Sequence, residues 1–321
     1  ERGLLPVVAD ELLDEVTSIV EWPNAILASF AEEFLQVPCE VIIESLQQHQ
    51  KCFPLKDKHG NLSPYFITVL NIVSKDPERV RLGNEKVVKA RLSDAMFFYS
   101  QDSKQPLANY TLSMDKIVFH AKLGSLADKV RRMARIMKYL APRLGFATLL
   151  GERASLLAKC DLLTGMVGEF PELQGVMGYY YAQKDGEKAE VALAIKEHYY
   201  PRFADDELPT SVCGSALSIA DRIDNLVGLF AIKQKPTGVK DPFKLRRHAL
   251  ALVRILLNLN CELSLRSLIV VAVDNYADVV AVDKREIMQS LLAFIFERMQ
   301  SYYQAQNIEN HLFLAVKAQQ H

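Results

Sequence analysis

Apolar residues recur every three or four positions from about residue 112 to residue 304, which is the spacing of one buried face of an α-helix. The first such run has apolar residues at positions 126, 130, 133, 137 and 140. The same pattern predicts further helices over 151–168, 172–182, 187–199, 211–231, 241–259, 262–279 and 283–304. Helices of this kind bury their apolar faces against one another, so we expect a helical domain of about 200 residues.

The first 110 residues show a different pattern. Helices are predicted over 9–21, 24–36 and 39–48. A short apolar run at 51–55 and a run rich in aromatic and β-branched residues at 65–73 enclose turn residues at 56–61, which predicts a β-hairpin. Pro77 opens another helix, which we expect to be interrupted at Gly83 and Asn84. The predicted fold class is therefore mainly α with a small β-containing module, an α+β arrangement.

Four parts are predicted along the chain. They are an acidic helical segment over 1–48, a small α+β module with the hairpin over 49–110, a helical domain over 111–260, and C-terminal helices over 261–321. We expect the first part to end a preceding domain or to form a linker, and the last to lead to a further domain. Five widely spaced cysteines without a CxxC pair are typical of reduced thiols in a cytoplasmic protein. No apolar run approaches the roughly 20 residues that a membrane helix needs.

Charges of opposite sign are segregated along the chain. Residues 1–48 contain ten acids and one base, whereas residues 116–159 contain ten bases and two acids. Residues 233–254 contain seven bases and one acid, so the net charge of −1 conceals two basic stretches. Such stretches bind a polyanion by releasing counterions, or they are simply solvated helix faces. Composition leaves both interpretations open.

A histidine and three further residues have the order of a known metal site. His120, Cys160, Asp161 and Asp221 follow the H…HD…D spacing of the HD phosphohydrolase superfamily, which they resemble. In that superfamily the ligands hold metal ions that activate water against a phosphoester. Cys160 stands where the pattern has histidine, and a thiol suits hard divalent ions poorly. We interpret residues 111–260 as an HD-like domain with a degenerate site and no metal; an active HD-type phosphohydrolase is the alternative.

Longer phrases resemble one family in particular. They stand at 83–88 (GNEKVV), 90–95 (ARLSDA), 122–126 (KLGSL), 159–164 (KCDLLT), 168–178 (GEFPELQGVMG), 200–204 (YPRFA) and 240–247 (KDPFKLRR). In this order they closely resemble the β subunit of the bacterial tetrameric glycyl-tRNA synthetase. The resemblance extends over essentially the whole chain.

This resemblance implies an α2β2 enzyme that joins glycine to its tRNA with ATP. The α subunit of such an enzyme carries the catalytic core, where ATP and Mg²⁺ are expected. The β subunit is implied to bind tRNA and to be longer, so we expect this chain to be its central fragment, without catalytic residues and without a cofactor. The expected partners are glycine tRNA and the α subunit, with no DNA and no membrane. A subunit-docking module without RNA contact is a further alternative.

Two groups of basic residues are candidates for contact with RNA phosphates. The first group is Lys129, Arg131, Arg132 and Arg135; the second is Lys235, Lys240, Lys244, Arg246 and Arg247. In the first group the spacing predicts one phosphate-facing helix surface, because residues three and four apart are neighbours on a helix. Arg246 and Arg247 should point apart, so that one faces RNA and the other pairs with an acid. The rings of the tyrosine triplet 179–181 either stack on bases or divide between core and surface.

Overall fold

The computed structural model describes residues 3–259, 261–280 and 283–318. Glu1 and Arg2, which belong to the predicted acidic segment, and residues 260, 281–282 and 319–321 lie outside the described residues. The chain divides into two compact units. Unit 1 contains the residues up to 105 together with 164–173, and unit 2 contains 106–163 together with the residues from 174 onward.

Unit 1 contains an antiparallel sheet in the order β1-β3-β4-β2. Its strands are β1 (Leu5–Pro6), β2 (Asn24–Ser29), β3 (Phe53–Lys56) and β4 (Leu62–Leu70). Strands β3 and β4 form the predicted hairpin, with Phe53 opposite Ile67. The turn between them is held by the Asp57 carboxylate, which accepts hydrogen bonds from the backbone N–H groups of His59 and Asn61. The β-hairpin prediction is confirmed.

The predicted helix over 24–36 is wrong. Residues Asn24–Ser29 form strand β2, which pairs with β4 over its whole length, and Glu32–Gln36 form a 3-10 helix. Alanine and leucine favour a helix locally, but a neighbouring strand of nine residues supplies a ladder of backbone hydrogen bonds that outweighs this preference. The segment over 1–48 was therefore wrongly expected to be helical throughout.

Helices make up most of the described chain. In chain order they are α1 (Asp10–Ile19), α2 (Cys39–Glu44), α3 (Pro77–Asp102), α4 (Leu126–Leu144), α5 (Thr148–Leu157), α6 (Gly165–Glu169), α7 (Val176–Lys184), α8 (Ala189–Glu197), α9 (Val212–Ala231), α10 (Leu245–Asn258), α11 (Leu265–Asp274), α12 (Lys284–Ala305) and α13 (Asn310–Ala318). A second small sheet, β5 (Val118–His120) and β6 (Gly124–Ser125), precedes α4. The predicted class, mainly α with a small β-containing module, is confirmed; the HD-like assignment stays a prediction.

Helix α3 continues without a break through Gly83 and Asn84, contrary to the sequence prediction. The Asn84 side chain donates to the carbonyl of Val80, one turn earlier in the helix, at 3.0 Å. Asp102, the last residue of α3, accepts hydrogen bonds from the backbone N–H groups of Gly165 (2.9 Å) and Met166 (2.8 Å) at the start of α6. These bonds join the two chain segments of unit 1.

Helix α9 lies at the centre of unit 2. It is buried over almost its whole length and packs against α4, α8, α10 and α11. Helix α4 begins at Leu126 behind a capping box, in which Ser125 and Asp128 bond each other's backbone N–H groups, and it ends at Gly145 in the left-handed conformation. None of the described helices combines the length and the apolar character that crossing a lipid bilayer requires.

Candidate functional site

A cavity of about 370 Å³ in unit 2 is lined by six cationic side chains and a single carboxylate, that of Asp221. The cations are Lys129, Lys159, Arg202, Arg222, Lys244 and Arg247. They come from α4, from the turn after α5, from the turn after α8, from α9 and from the start of α10. We refer to this site as the cationic cavity.

Asp221 is held between two lysines. The Lys129 ammonium on α4 lies 2.8 Å from Asp221 Oδ1, and the Lys159 ammonium lies 3.4 Å from Asp221 Oδ2. Burial alone would raise the pKa of Asp221, but the two ammonium groups hold it well below its usual range. Asp221 is therefore a carboxylate at neutral pH, and both of its oxygens face ammonium groups.

Lys159 also reaches two aromatic rings. Its ammonium lies 2.8 Å from His198 Nε2 and 4.1 Å from the centre of the Tyr199 ring. His198 Nδ1 lies 2.6 Å from the carbonyl of Ile195, which can only accept, so Nδ1 carries the proton and Nε2 accepts from Lys159. Burial and the neighbouring Lys159 charge lower the pKa of His198 well below its ordinary value, and burial lowers the pKa of Lys159 to about 8. At pH 7 the histidine is neutral and the lysine is mostly charged.

A second buried carboxylate, Asp224, lies one turn further along α9. Arg132 Nε donates to it at 2.7 Å, and the Tyr276 hydroxyl lies 2.9 Å from the same oxygen, Oδ1. Lys129 lies 3.2 Å from the other oxygen, Oδ2. Gly228 makes room for this arrangement, because a Cβ at that position would lie 2.8 Å from Tyr276 Cζ. Lys129 thus joins the two carboxylates of α9 into one buried charge cluster.

Arg222 fixes one wall of the cationic cavity. Its guanidinium donates to the carbonyls of Tyr199 (3.0 Å) and Pro201 (2.8 Å) in the turn after α8. It also lies 3.4 Å from His248 Nδ1. Burial lowers the pKa of Arg222 to about 10, and burial together with Arg222 lowers the pKa of His248 to about 3, so His248 is neutral.

The four residues of the predicted HD remnant do not converge on one point. His120 lies on β5, where its Nδ1 accepts from the Lys122 N–H, and its ring faces Phe243. Cys160 is buried with its Sγ 3.5 Å from the Leu156 carbonyl. Among residues 3–259, 261–280 and 283–318, no group of three His, Cys, Asp or Glu side chains could hold a metal ion.

Asp161 supports the start of a helix. It is fully buried and accepts hydrogen bonds from the backbone N–H groups of Gly175 (2.5 Å) and Gly178 (3.1 Å) at the start of α7. Burial raises its pKa to about 6 despite these bonds. Asp221, the last residue of the predicted set, faces the two lysines described above. The arrangement does not fit a metal centre, because ammonium groups stand beside the carboxylate that a cation would need.

The first group of predicted RNA contacts is divided between the interior and the surface. Lys129 and Arg132 are each only 3% exposed and pair with Asp221 and Asp224. Arg131 is exposed but pairs with two acids, Asp115 and Asp128, and Arg135 is exposed. The prediction of a single phosphate-facing surface is therefore wrong, because buried carboxylates draw two of its members inward. RNA contact by Arg131 and Arg135 stays a prediction.

The second group partly lines the cationic cavity. Lys244 and Arg247 stand at its edge, and both are exposed. Arg246 does not line this cavity; it lies 4.0 Å from Asp241 and donates to the Gly238 carbonyl. RNA contact by one member of this pair stays a prediction.

The remaining candidates lie elsewhere in unit 2. Lys235 lies 4.0 Å from Glu286, and Lys240 is exposed on the loop before α10. Tyr181 is buried, whereas Tyr179 and Tyr180 are half-buried with their rings edge to face. Base stacking by these two rings stays a prediction.

Comparison with known proteins places the chain in a family. The family described as glycyl-tRNA synthetase beta subunit matches residues 1–318. The chain belongs to this family. A glycine–tRNA ligase beta subunit from Pseudomonas fluorescens is 48% identical over 314 residues, and those from Pseudomonas syringae pv. tomato and Pseudomonas putida are each 47% identical. These alignments cover 97–98% of this chain.

The chain spans about half the length of these glycyl-tRNA synthetase beta subunits, since the alignments cover 45–46% of each relative. The name "glycine–tRNA ligase beta subunit" therefore describes relatives about twice as long as the part aligned with this chain.

Several residues at the cationic cavity of this beta subunit chain were not predicted from the sequence. Asp224, Arg222, His198, Tyr199 and His248 all belong to the cavity or to its charge cluster. One signal could have indicated part of this cluster: α9 carries Asp221, Arg222 and Asp224 in a mostly apolar helix. A buried carboxylate needs a cation or several hydrogen-bond donors, so polar partners were to be expected around α9.

Proposed function

We propose that the chain is a tRNA-binding and scaffolding part of the beta subunit of a glycine–tRNA ligase, and that it does not itself catalyse aminoacylation. The whole enzyme would attach glycine to its tRNA with ATP in the cytoplasm. Its partners would be glycine tRNA and an α subunit, and the α subunit would carry the catalytic core with ATP and Mg²⁺.

The observation that carries this proposal is the cationic cavity in a chain of this family. Lys244 and Arg247 stand exposed at its edge and make no ion pair within the described part of the chain. Exposed, unpaired cations bind a polyanion by releasing its counterions, whereas cations that already face carboxylates contribute much less.

The chemistry of the cavity favours binding over catalysis. Asp221 is a carboxylate that faces two ammonium groups, and the pKa values of His198 and His248 are so low that both rings are neutral at pH 7. A hydrolase of the HD type needs metal ligands that converge, and in the described part of the chain no three His, Cys, Asp or Glu side chains form a group that could hold a metal ion. Cations that surround a cavity suit the recognition of phosphates.

Fluorescence anisotropy tests this proposal with the complete ligase, that is, the α subunit and the full-length beta subunit. Labelled glycine tRNA is titrated over a series of salt concentrations with wild-type ligase and with a Lys244→Ala/Arg247→Ala variant. We expect affinity to fall with salt. The variant should bind more weakly, with a salt slope reduced by about 1–2, because each of the two cations would neutralise one phosphate in the wild type.

A matched control removes one lysine and one arginine elsewhere in unit 2. Lys138 on α4 and Arg266 on α11 are exposed and do not line the cationic cavity. Lys138→Ala/Arg266→Ala should bind like the wild type. If both double variants bind tRNA with wild-type affinity and slope, the cavity does not contact tRNA and the proposal is wrong for this site.

A further inference from the structure

We infer that the cationic cavity is a pocket for a terminal phosphate, that is, for a phosphomonoester such as the 5′ end of an RNA or the phosphate of a free nucleotide. The pocket is defined by its surplus charge, its size and its unpaired donors. Binding of an RNA 5′ end in this pocket rests on the proposed function, whereas binding of a free nucleotide does not.

The charge of the cavity suits a dianion. Four carboxylates face these six cations and Arg132, which pairs with Asp224: they are Asp161, Asp206, Asp221 and Asp224. Three positive charges then remain. A phosphomonoester carries about −1.5 to −2 at pH 7, roughly twice the charge of one phosphodiester in an RNA backbone. A terminal phosphate therefore gains more from this surplus than an internal one.

The size of the cavity points in the same direction. Its volume of about 370 Å³ lies within the range of small-molecule pockets. A duplex RNA backbone runs over a surface and has no free end to insert. A chain end or a nucleotide can enter such a concave site.

Donors at the cavity are available for phosphate oxygens. Lys244 and Arg247 form no ion pair with any described residue. Both cations can therefore bind phosphate oxygens without giving up an internal ion pair, and hydrogen bonds between charged partners are among the stronger ones. Arginine is suited to this role, since its planar fork matches two phosphate oxygens.

The test compares glycine tRNA that carries a 5′ phosphate with the same tRNA that ends in a 5′ hydroxyl. Both are titrated against the complete ligase as wild type and as Arg247→Ala. Arg247 is exposed and unpaired, so its replacement should leave the fold intact, which circular dichroism verifies. We expect loss of the 5′ phosphate to weaken wild-type binding about tenfold or more, and to have little effect on the Arg247→Ala variant.

Two further arms distinguish the source of the phosphate. Arg266→Ala, the matched arginine control, should keep the full dependence on the 5′ phosphate. Uridine monophosphate is titrated by calorimetry against the same three proteins. If it binds wild type and Arg266→Ala but not Arg247→Ala, and the 5′ phosphate of tRNA has no effect, the pocket takes a free phosphomonoester.

The outcomes separate this inference from the proposed function. If the wild type binds tRNA, but neither the 5′ phosphate nor uridine monophosphate shows a dependence on Arg247, the terminal-phosphate pocket is refuted and tRNA binding stands. If uridine monophosphate binds through Arg247 while the ligase shows no affinity for tRNA through this unit, the pocket stands and the proposed function fails.

Discussion

Asp224→Asn should destabilise unit 2 strongly. The substitution keeps the size of the side chain but removes the charge that the buried Arg132 guanidinium faces. Arg132 would keep its hydrogen bond to the Leu123 carbonyl and its contact with the Tyr276 ring, and neither carries a full negative charge. The result would be a buried cation without a counter-ion.

The magnitude follows from burial. The side chains of Asp224 and Arg132 are 0% and 3% exposed, so water cannot replace the missing partner. Breaking a buried ion pair by removing one partner costs about 3–5 kcal/mol. For a unit of about 200 residues this corresponds to a drop of roughly 6–20 °C in the melting temperature.

A surface pair provides the matched control. Asp115 lies 3.0 Å from Arg131, and its side chain is 62% exposed. Asp115→Asn should cost less than about 1 kcal/mol, because water and salt already screen that pair. Thermal unfolding of the full-length beta subunit, followed by circular dichroism, measures both variants under the same conditions.

Combining Asp224→Asn with Arg132→Met tests the explanation itself. If the cost arises from an unpaired charge, removing the cation as well should restore part of the stability. The explanation is refuted if Asp224→Asn lowers the melting temperature no more than Asp115→Asn does. It is also refuted if the destabilisation of the double variant equals the sum of the destabilisations caused by Asp224→Asn and Arg132→Met alone.

Three further predictions concern the surroundings of this cluster. Gly228→Ala should cost about 1–3 kcal/mol in urea unfolding, since the new methyl meets the Tyr276 ring, and Tyr276→Phe in the same chain should recover part of it. In the folded protein the pKa of Asp161 is raised to about 6, so Asp161 binds a proton more tightly there than in the unfolded chain. The stability that this proton contributes is lost as the pH rises from about 4 to about 6. Asp161→Asn should remove that loss, so its stability relative to wild type should increase from pH 4 to pH 7; no change in the difference would refute this. Glu197→Gln should cost about 1–3 kcal/mol in the same unfolding assay, because Glu197 accepts four hydrogen bonds from the two residues that precede α9.

The recurrence of apolar residues every three or four positions predicted most of the helices, because a long amphipathic segment carries this helical pattern in its own sequence. The hairpin was also predictable, since turn residues separate two strand-like runs. Strand β2 was not, because the residues Asn24–Ser29 have no strong strand pattern and adopt their form only by pairing with β4. The continuity of α3 through Gly83 likewise depends on context, since a single glycine costs only about 1 kcal/mol in a helix of 26 residues.

The candidate site was predictable only in part. Lys244 and Arg247 could be selected as candidates because they belong to the basic stretch over 233–254, and lysine and arginine side chains are mostly exposed. Lys129 and Arg132 could not be separated from their exposed neighbours, because helical spacing does not reveal which cations face a buried acid. Their placement depends on Asp221 and Asp224, which lie about 90 residues away in sequence.

The composition of unit 1 from two separate chain segments has a consequence for synthesis on the ribosome. Asp102 is made early, whereas its partners Gly165 and Met166 emerge only after residues 106–163, which belong to unit 2. At about 5–20 residues per second, Gly165 is synthesised about 3–13 seconds after Asp102 at the end of α3. During that interval the nascent chain holds an unfinished unit 1 followed by the first portion of unit 2, a state in which both are open to chaperones at once.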